Sequence, residues 1–175
     1  MRRSIKRMIG YDIQAKDGTI GHVKDFYFDD RTLTLRYLVA DTGNWLPGRK
    51  VLLSPDSLET PDWEKMIFPV NLEKGTIEES PDIETHKPVS RQREIELFQY
   101  FGWKPYWEMG MQSGAAPIPV PPPEQQSDHE DEHESSLRSA DEVIGYHIEA
   151  SDGDIGHVED IIVDDENWEI RYLVV

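Results

Sequence analysis

The chain has 175 residues, no cysteine and a formal net charge of −17, with 37% hydrophobic residues, below the roughly 45–50% of an ordinary globular domain. The absence of cysteine excludes disulfides, thiol nucleophiles and thiolate metal sites. The charge argues against general nucleic-acid binding, which needs a basic face to neutralise phosphates.

The chain starts with its one basic cluster, Arg2, Arg3, Lys6 and Arg7. No apolar core of a leader peptide follows it, and no stretch approaches the ~20 apolar residues of a membrane span. The expectation is a soluble, cytoplasmic protein with no membrane insertion. Ile9 to Ala15 reads as a short strand that ends at Asp17-Gly18, a hairpin signal because glycine takes positive φ freely. Ile20 to Phe28 is a second strand and 29–32 a polar turn. Leu33 to Asp41 is a third, with Leu33, Leu35, Tyr37 and Val39 at period two. Lys50 to Leu53 is a fourth strand, Pro55 to Pro61 a loop, and Trp63 to Val70 supplies one or two more. Short strands at this spacing predict a small antiparallel barrel. Leu72 to Glu79 reads as a weak helical turn. Ser90 to Phe101 is the best helix, with Ser90 as cap and Gly102 as stop. An aromatic tail follows: Tyr100-Phe101-Gly102-Trp103-Lys104-Pro105-Tyr106-Trp107. Such a tail either packs on the barrel or forms an interaction surface. Residues 111–140, rich in proline and then in acids, read as a linker.

Beyond the linker the chain repeats itself. Residues 9–40 and 144–175 align without a gap at an offset of 135, with 18 of 32 positions identical. The second copy covers only the opening half of the unit. The expected organisation is a barrel domain at 1–85, helix and aromatic tail at 86–110, the linker, and a partial second barrel at 141–175. A half barrel exposes strand edges, which invite pairing. A twofold homodimer completed through the half repeat is therefore expected.

Gly10-Tyr11, Asp17-Gly18, Ile20-Gly21-His22-Val23, Asp25, Asp29-Asp30 and Arg36-Tyr37-Leu38-Val39 together resemble the PRC-barrel family. This β-barrel is shared by the cytoplasmic part of the photosynthetic reaction-centre H subunit and the carboxy-terminal part of RimM-type ribosome maturation factors. Gly48 to Pro55 and the aromatic tail are similar to free-standing bacterial members. The chain lacks the H subunit's membrane helix and the ribosome factor's separate amino-terminal barrel, so neither function carries over by residue. The resemblance implies an all-β, PRC-type barrel that works as a non-catalytic interaction or assembly module, with no catalytic residues and no cofactor to transfer. A ribosome- or RNA-processing-linked factor is one alternative, and a cation or small-ligand sensor another.

The candidate sites follow from residue types. Phe101, Trp103, Tyr106 and Trp107 are the partner-binding candidates. A four-residue turn at 29–32 sets Asp25 opposite Arg36, and Asp160 opposite Arg171 in the second copy. Such cross-strand pairs are worth ~0.2–1 kcal/mol and fix register. His129-Glu130-Asp131-Glu132-His133 matches H-E-x-x-H in form, but an acidic linker supplies no packed helix or third ligand. It reads as a solvated acidic run, with weak binding of a divalent cation at His129 and His133 as the alternative. Asp29 and Asp30 offer oxygens for a cation, short of the six or more that calcium takes. His22 and His157 hold equivalent places and read as hydrogen-bonded structural histidines, with a pH-sensitive contact as the alternative.

Overall fold

The computed structural model describes residues 1–83, 89–108 and 136–175. β1 (Arg2–Ser4) runs into a single helical turn, α1 (Ile5–Met8), which Ser4 caps by accepting from the Arg7 amide. β2 (Asp12–Ala15) and β3 (Gly18–Asp29) form the first hairpin; β4 (Thr34–Asp41) and β5 (Val51–Leu53) extend it. A 3-10 turn at Pro55–Ser57 leads to β6 (Ile67–Pro69) and α2 (Lys74–Glu78). α3 (Arg91–Phe101) begins at Ser90, whose hydroxyl accepts from the Arg93 amide, and ends at Gly102 in the left-handed region at φ 71°. Both helix signals read from the sequence lie where expected.

The second copy contributes β7 (Leu137–Ser139), α4 (Ala140–Val143), the hairpin β8 (His147–Ala150) and β9 (Gly153–His157), then β10 (Asp160–Asp164) and β11 (Ile170–Val174). β7 and α4 therefore form regular structure starting at Leu137, inside the stretch whose composition reads as linker. The first sheet has the order β5-β4-β3-β2-β6. Its β2–β6 pair is parallel, Asp12 beside Ile67 and Ile13 beside Phe68. The barrel is thus not wholly antiparallel, because the long connection after β5 brings β6 back in the direction of β2.

The register differs from the one a 29–32 turn would set. Asp29 faces Thr34 and Phe28 faces Leu35. The tight turn occupies 30–33, closed by the Leu33 amide donating to the Asp29 carbonyl at 2.8 Å, with Leu33 at φ 51°. Bulges then place Asp25 opposite Val39, not Arg36. In the second copy Trp168 takes the place of Leu33 at φ 59°, and Asp160 faces Val174, not Arg171. Neither predicted ion pair forms. A bulge shifts every later partner by one residue, and both copies carry them.

What the acids do instead explains how the repeats fit together. β1 of the first repeat pairs with β10 of the second, Arg2 facing Asp164 and Ser4 facing Ile162. β7 of the second repeat pairs with β3 of the first, Leu137 facing Asp29 and Ser139 facing Tyr27. These two pairings map onto each other under the 135-residue offset. Each repeat lays its opening arm on the other. Ser4 donates to Asp160 and Ser139 donates to Asp25. The Lys6 amide meets Asp160 at 3.1 Å, and the Asp141 amide meets Asp25 at 3.0 Å. Arg3 pairs with Asp165 at 2.8 Å and Arg138 with Asp30 at 3.0 Å. At the centre, the Leu35 amide donates to the Trp168 carbonyl and the Ile170 amide to the Leu33 carbonyl, around a Thr34–Glu169 bridge. Thr34 and Glu169 are themselves 135 apart, so a pseudo-twofold axis passes between them.

The arms also carry apolar side chains inward. Ile5 and Met8 from α1 and Ala140 from α4 are buried in one cluster with Phe26, Phe68, Val158, Ile161 and Val163. Burying Ile5 and Met8 fully stabilises the pair by about 1.5–3 kcal/mol each. The two repeats thus share a single core. The edge of β10 that a half repeat would expose is covered from within the same chain.

Candidate protein-binding surface

β4 and its counterpart in the second repeat differ in exposure. β4 is flanked on one side by β3 and on the other by β5, with Leu38 facing Leu53 and Val39 facing Leu52. Its counterpart β11 lies at the end of the order β1-β10-β11, with no strand beyond it among the described residues. The side chains respond accordingly. Tyr37, Leu38 and Val39 are 0%, 1% and 4% exposed, whereas Tyr172, Leu173 and Val174 are 49%, 48% and 38% exposed. The Glu159 amide donates to the Val174 carbonyl, turning Val174 toward β10. Alternation along an antiparallel strand then turns the N–H and C=O of Leu173 outward. Ile155 on the β8–β9 hairpin and Tyr146 before it are exposed on the same repeat.

In the first repeat the corresponding face is closed by α3 and the aromatic tail. Tyr37, Val39 and Leu52 pack with Leu97, Phe98 and Trp103 in a second cluster. Of the four aromatic candidates, Trp103 is buried, while Phe101, Tyr106 and Trp107 are half-buried against this cluster. Phe101 stacks on Trp103 at 4.3 Å, and Phe98 sits at the centre of Trp103, Tyr106 and Trp107. Leu137 from β7 packs on the same cluster, so the tail also bears on the exchanged arm.

Glu94 anchors this layer and went unnoticed in the sequence. It is fully buried, accepts from Tyr37 Oη at 2.8 Å and from Tyr106 Oη, and lies 3.2 Å from Arg91. Helical spacing puts Glu94 on the stripe of Leu97, Phe98 and Phe101, and that was the available signal. Arg36 stacks over the Tyr106 ring at 4.2 Å and Arg91 over Trp107 at 4.5 Å. Burial, then the nearby Glu94 charge, raises the phenols of Tyr37 and Tyr106 above the ordinary tyrosine value. Burial, with the Asp25 charge, pushes Tyr27 up to about 12. In the unfolded chain these phenols ionise near 10. The folded state then holds more protons, so stability falls as pH rises above about 10. Alkaline unfolding followed by circular dichroism should therefore begin near that pH; a flat stability up to pH 12 would contradict these tyrosine environments.

The remaining candidates among the described residues lie on the turns, arms and hairpins. Asp25 is 9% exposed and its pKa is raised by burial, against the hydrogen bonds from Ser139, Asp141 and Phe26. Asp29 accepts from the Arg31 amide and Ser136 Oγ, and Asp30 pairs with Arg138. Both turn acids therefore face the exchanged arm. Among the described residues no group of three or more histidines or acids could hold a metal. His129 and His133 lie outside the described residues. His22 is exposed, 3.8 Å from Asp41, while His157 faces His147 across the β8–β9 hairpin.

A family model described as the PRC-barrel domain matches residues 2–77. The first repeat is a PRC barrel. The match starts with the arm β1 and stops in α2, so α3 and the aromatic tail lie beyond it. Residues 144–175 lie outside the match and share 18 of 32 positions with 9–40. PRC barrels are a non-catalytic fold family. No curated protein matches the chain. Among the described residues no helix is long and apolar enough to cross a membrane.

Proposed function

We propose that this PRC-barrel protein is a non-catalytic assembly module that takes up an extended segment of a partner protein along the outer edge of β11. The observation that carries this reading is the exposed apolar run Tyr172–Val174 on β11. An open strand edge offers main-chain hydrogen bonds to an incoming strand, and its alternate side-chain pockets select the sequence. The first repeat supplies a template for the ligand: the apolar strand Val51–Leu53, laid antiparallel on Leu38–Ala40. The aromatic tail, by contrast, is engaged with the chain's own cluster, and its half-buried rings Phe101, Tyr106 and Trp107 are a secondary contact for a partner.

A peptide of residues 48–55, Gly-Arg-Lys-Val-Leu-Leu-Ser-Pro, tests the edge. Titrated into the labelled protein, it should shift the amide signals of Tyr172 to Val174. Leu173→Pro removes the outward N–H of an edge residue, where proline is tolerated, and should weaken the peptide by at least tenfold with the fold kept. Shifts elsewhere only, or equal binding to the variant, would dismiss the edge.

Self-association is the second form of the same activity, since two β11 edges can pair about a twofold axis. Light scattering would then give a dimer that Leu173→Pro converts to monomer. Phosphate binding has less support. Arg3 lies on Trp63 and pairs with Asp165, and Arg2 lies over Tyr172. Arg2 and Arg3 of the basic arm are thus engaged within the chain.

A further inference from the structure

A cleft of about 310 Å³ lies where the two repeats meet, between the loop Leu58–Trp63 and the turn that joins β10 to β11. Trp63 and Pro61 from the first repeat and Trp168 from the second line it, together with Glu59 and Asp165. We propose that this cleft binds a guanidinium cation, stacked on indole and paired with Glu59.

Three observations meet here. The chain itself already shows the chemistry on one wall. The Arg3 guanidinium lies 3.9 Å from the Trp63 ring centre, and its Nε donates to Asp165 at 2.8 Å. A planar guanidinium suits both partners, since it stacks on aromatic faces and pairs with carboxylates in a fork. Secondly, Arg3 and the Met1 ammonium, 2.6 Å away, occupy both oxygens of Asp165, so Glu59 is the open carboxylate of the cleft. Glu59 is exposed and makes no ion pair among the described residues. Trp168 is half-buried, held in place by Phe68 at 6.2 Å. The walls are therefore set before a ligand arrives. Thirdly, the net charge of −17 draws cations toward the molecule. The cleft needs both repeats: Trp63 and Glu59 come from one, Trp168 and Asp165 from the other. Binding therefore reports on the paired arrangement as well as on the site, and it is independent of the β11 edge.

Two probes separate the sources of such a group: ethylguanidinium, the bare head, and N-acetyl-arginine N-methylamide, an arginine as a peptide presents it. Each is titrated into the intact chain while the indole N–H signals of Trp63 and Trp168 are followed. Saturable shifts of both signals are expected, with N-acetyl-lysine N-methylamide at least fivefold weaker because an ammonium does not stack as a plane. Equal affinity of the two guanidinium probes identifies a free small cation, and a clear preference for the blocked amino acid identifies an arginine of a partner chain. Glu59→Gln, an exposed substitution that leaves the core untouched, should weaken binding about tenfold. Absence of saturable shifts at the two indoles, or undiminished binding to Glu59→Gln, overturns the assignment.

Discussion

Replacing Gly21 by alanine should strongly destabilise the first barrel. Gly21 sits in β3 at φ 147°, and a Cβ there would lie 1.9 Å from the Asp41 carbonyl oxygen and 2.9 Å from its carbon. The contact is with backbone, so no side chain can rotate away. Relief requires separating β3 from β4 where His22 faces Asp41. That joint also holds Val23 against Ala40, both buried in the core. The expected loss is about 3 kcal/mol or more, a large part of the ~5–15 kcal/mol that stabilises a typical domain. Gly156, the same position in the second repeat, provides the control. Its Cβ would meet only Val175 Cγ1, at 3.4 Å, with φ 136°. Alanine there should cost about 1–2 kcal/mol, mostly backbone strain. Urea melts of the two variants give the comparison, and equal midpoints would contradict the close approach at Gly21.

Glu94→Ala should release α3 and the aromatic tail. The substitution strands Tyr37 Oη, which is fully buried, and removes the acceptor of Tyr106 Oη. It also leaves Arg91 without its nearest carboxylate. Losing a charged acceptor for buried donors costs about 2–4 kcal/mol, with the Arg91 part reduced because that side chain is 25% exposed. Glu94→Gln retains a carbonyl oxygen for the tyrosines and should cost about 1 kcal/mol. Hydrogen exchange of the α3 amides reads the effect directly. Alanine should remove protection from Leu97 to Phe101 while that of β3 and β4 persists. Protection unchanged in the alanine variant would mean that Glu94 does not anchor the layer.

Much of the first repeat is legible in the sequence because its signals are local. Asp17-Gly18 marks the hairpin, period two marks β4, and Ser90 and Gly102 bracket α3. The pairing register is not local. It depends on bulges in β3 and on Leu33 and Trp168 taking positive φ, which side-chain pattern does not favour. Asp25 and Asp160 illustrate the consequence. Their repetition was visible, but their partners are Ser139 and Ser4 on the opposite repeat, more than a hundred residues away. The arms themselves left a trace, since Arg3-Ser4 and Arg138-Ser139 also stand 135 apart, just before the aligned stretch. Even so, an arm that matches its own repeat and the other equally well carries no local sign of which one it joins. Glu94 was hidden for a related reason. A glutamate amid Arg91, Arg93 and Glu96 reads as part of a solvated face until Tyr37 and Tyr106 are seen to converge on it.

Reciprocal arm exchange within one chain is the central claim, and the absence of cysteine makes it directly testable. Arg2 and Asp164 face each other across β1 and β10, within the Cα separation that a disulfide spans. The double variant Arg2→Cys with Asp164→Cys, mildly oxidised, should become a monomer with an internal link, seen by mass spectrometry of its fragments. The pair Arg2→Cys with Asp29→Cys, which would link an arm to its own repeat, should stay reduced. A link in the second pair and none in the first would contradict the exchange, and a covalent dimer from the first pair would show that the arms pass between chains.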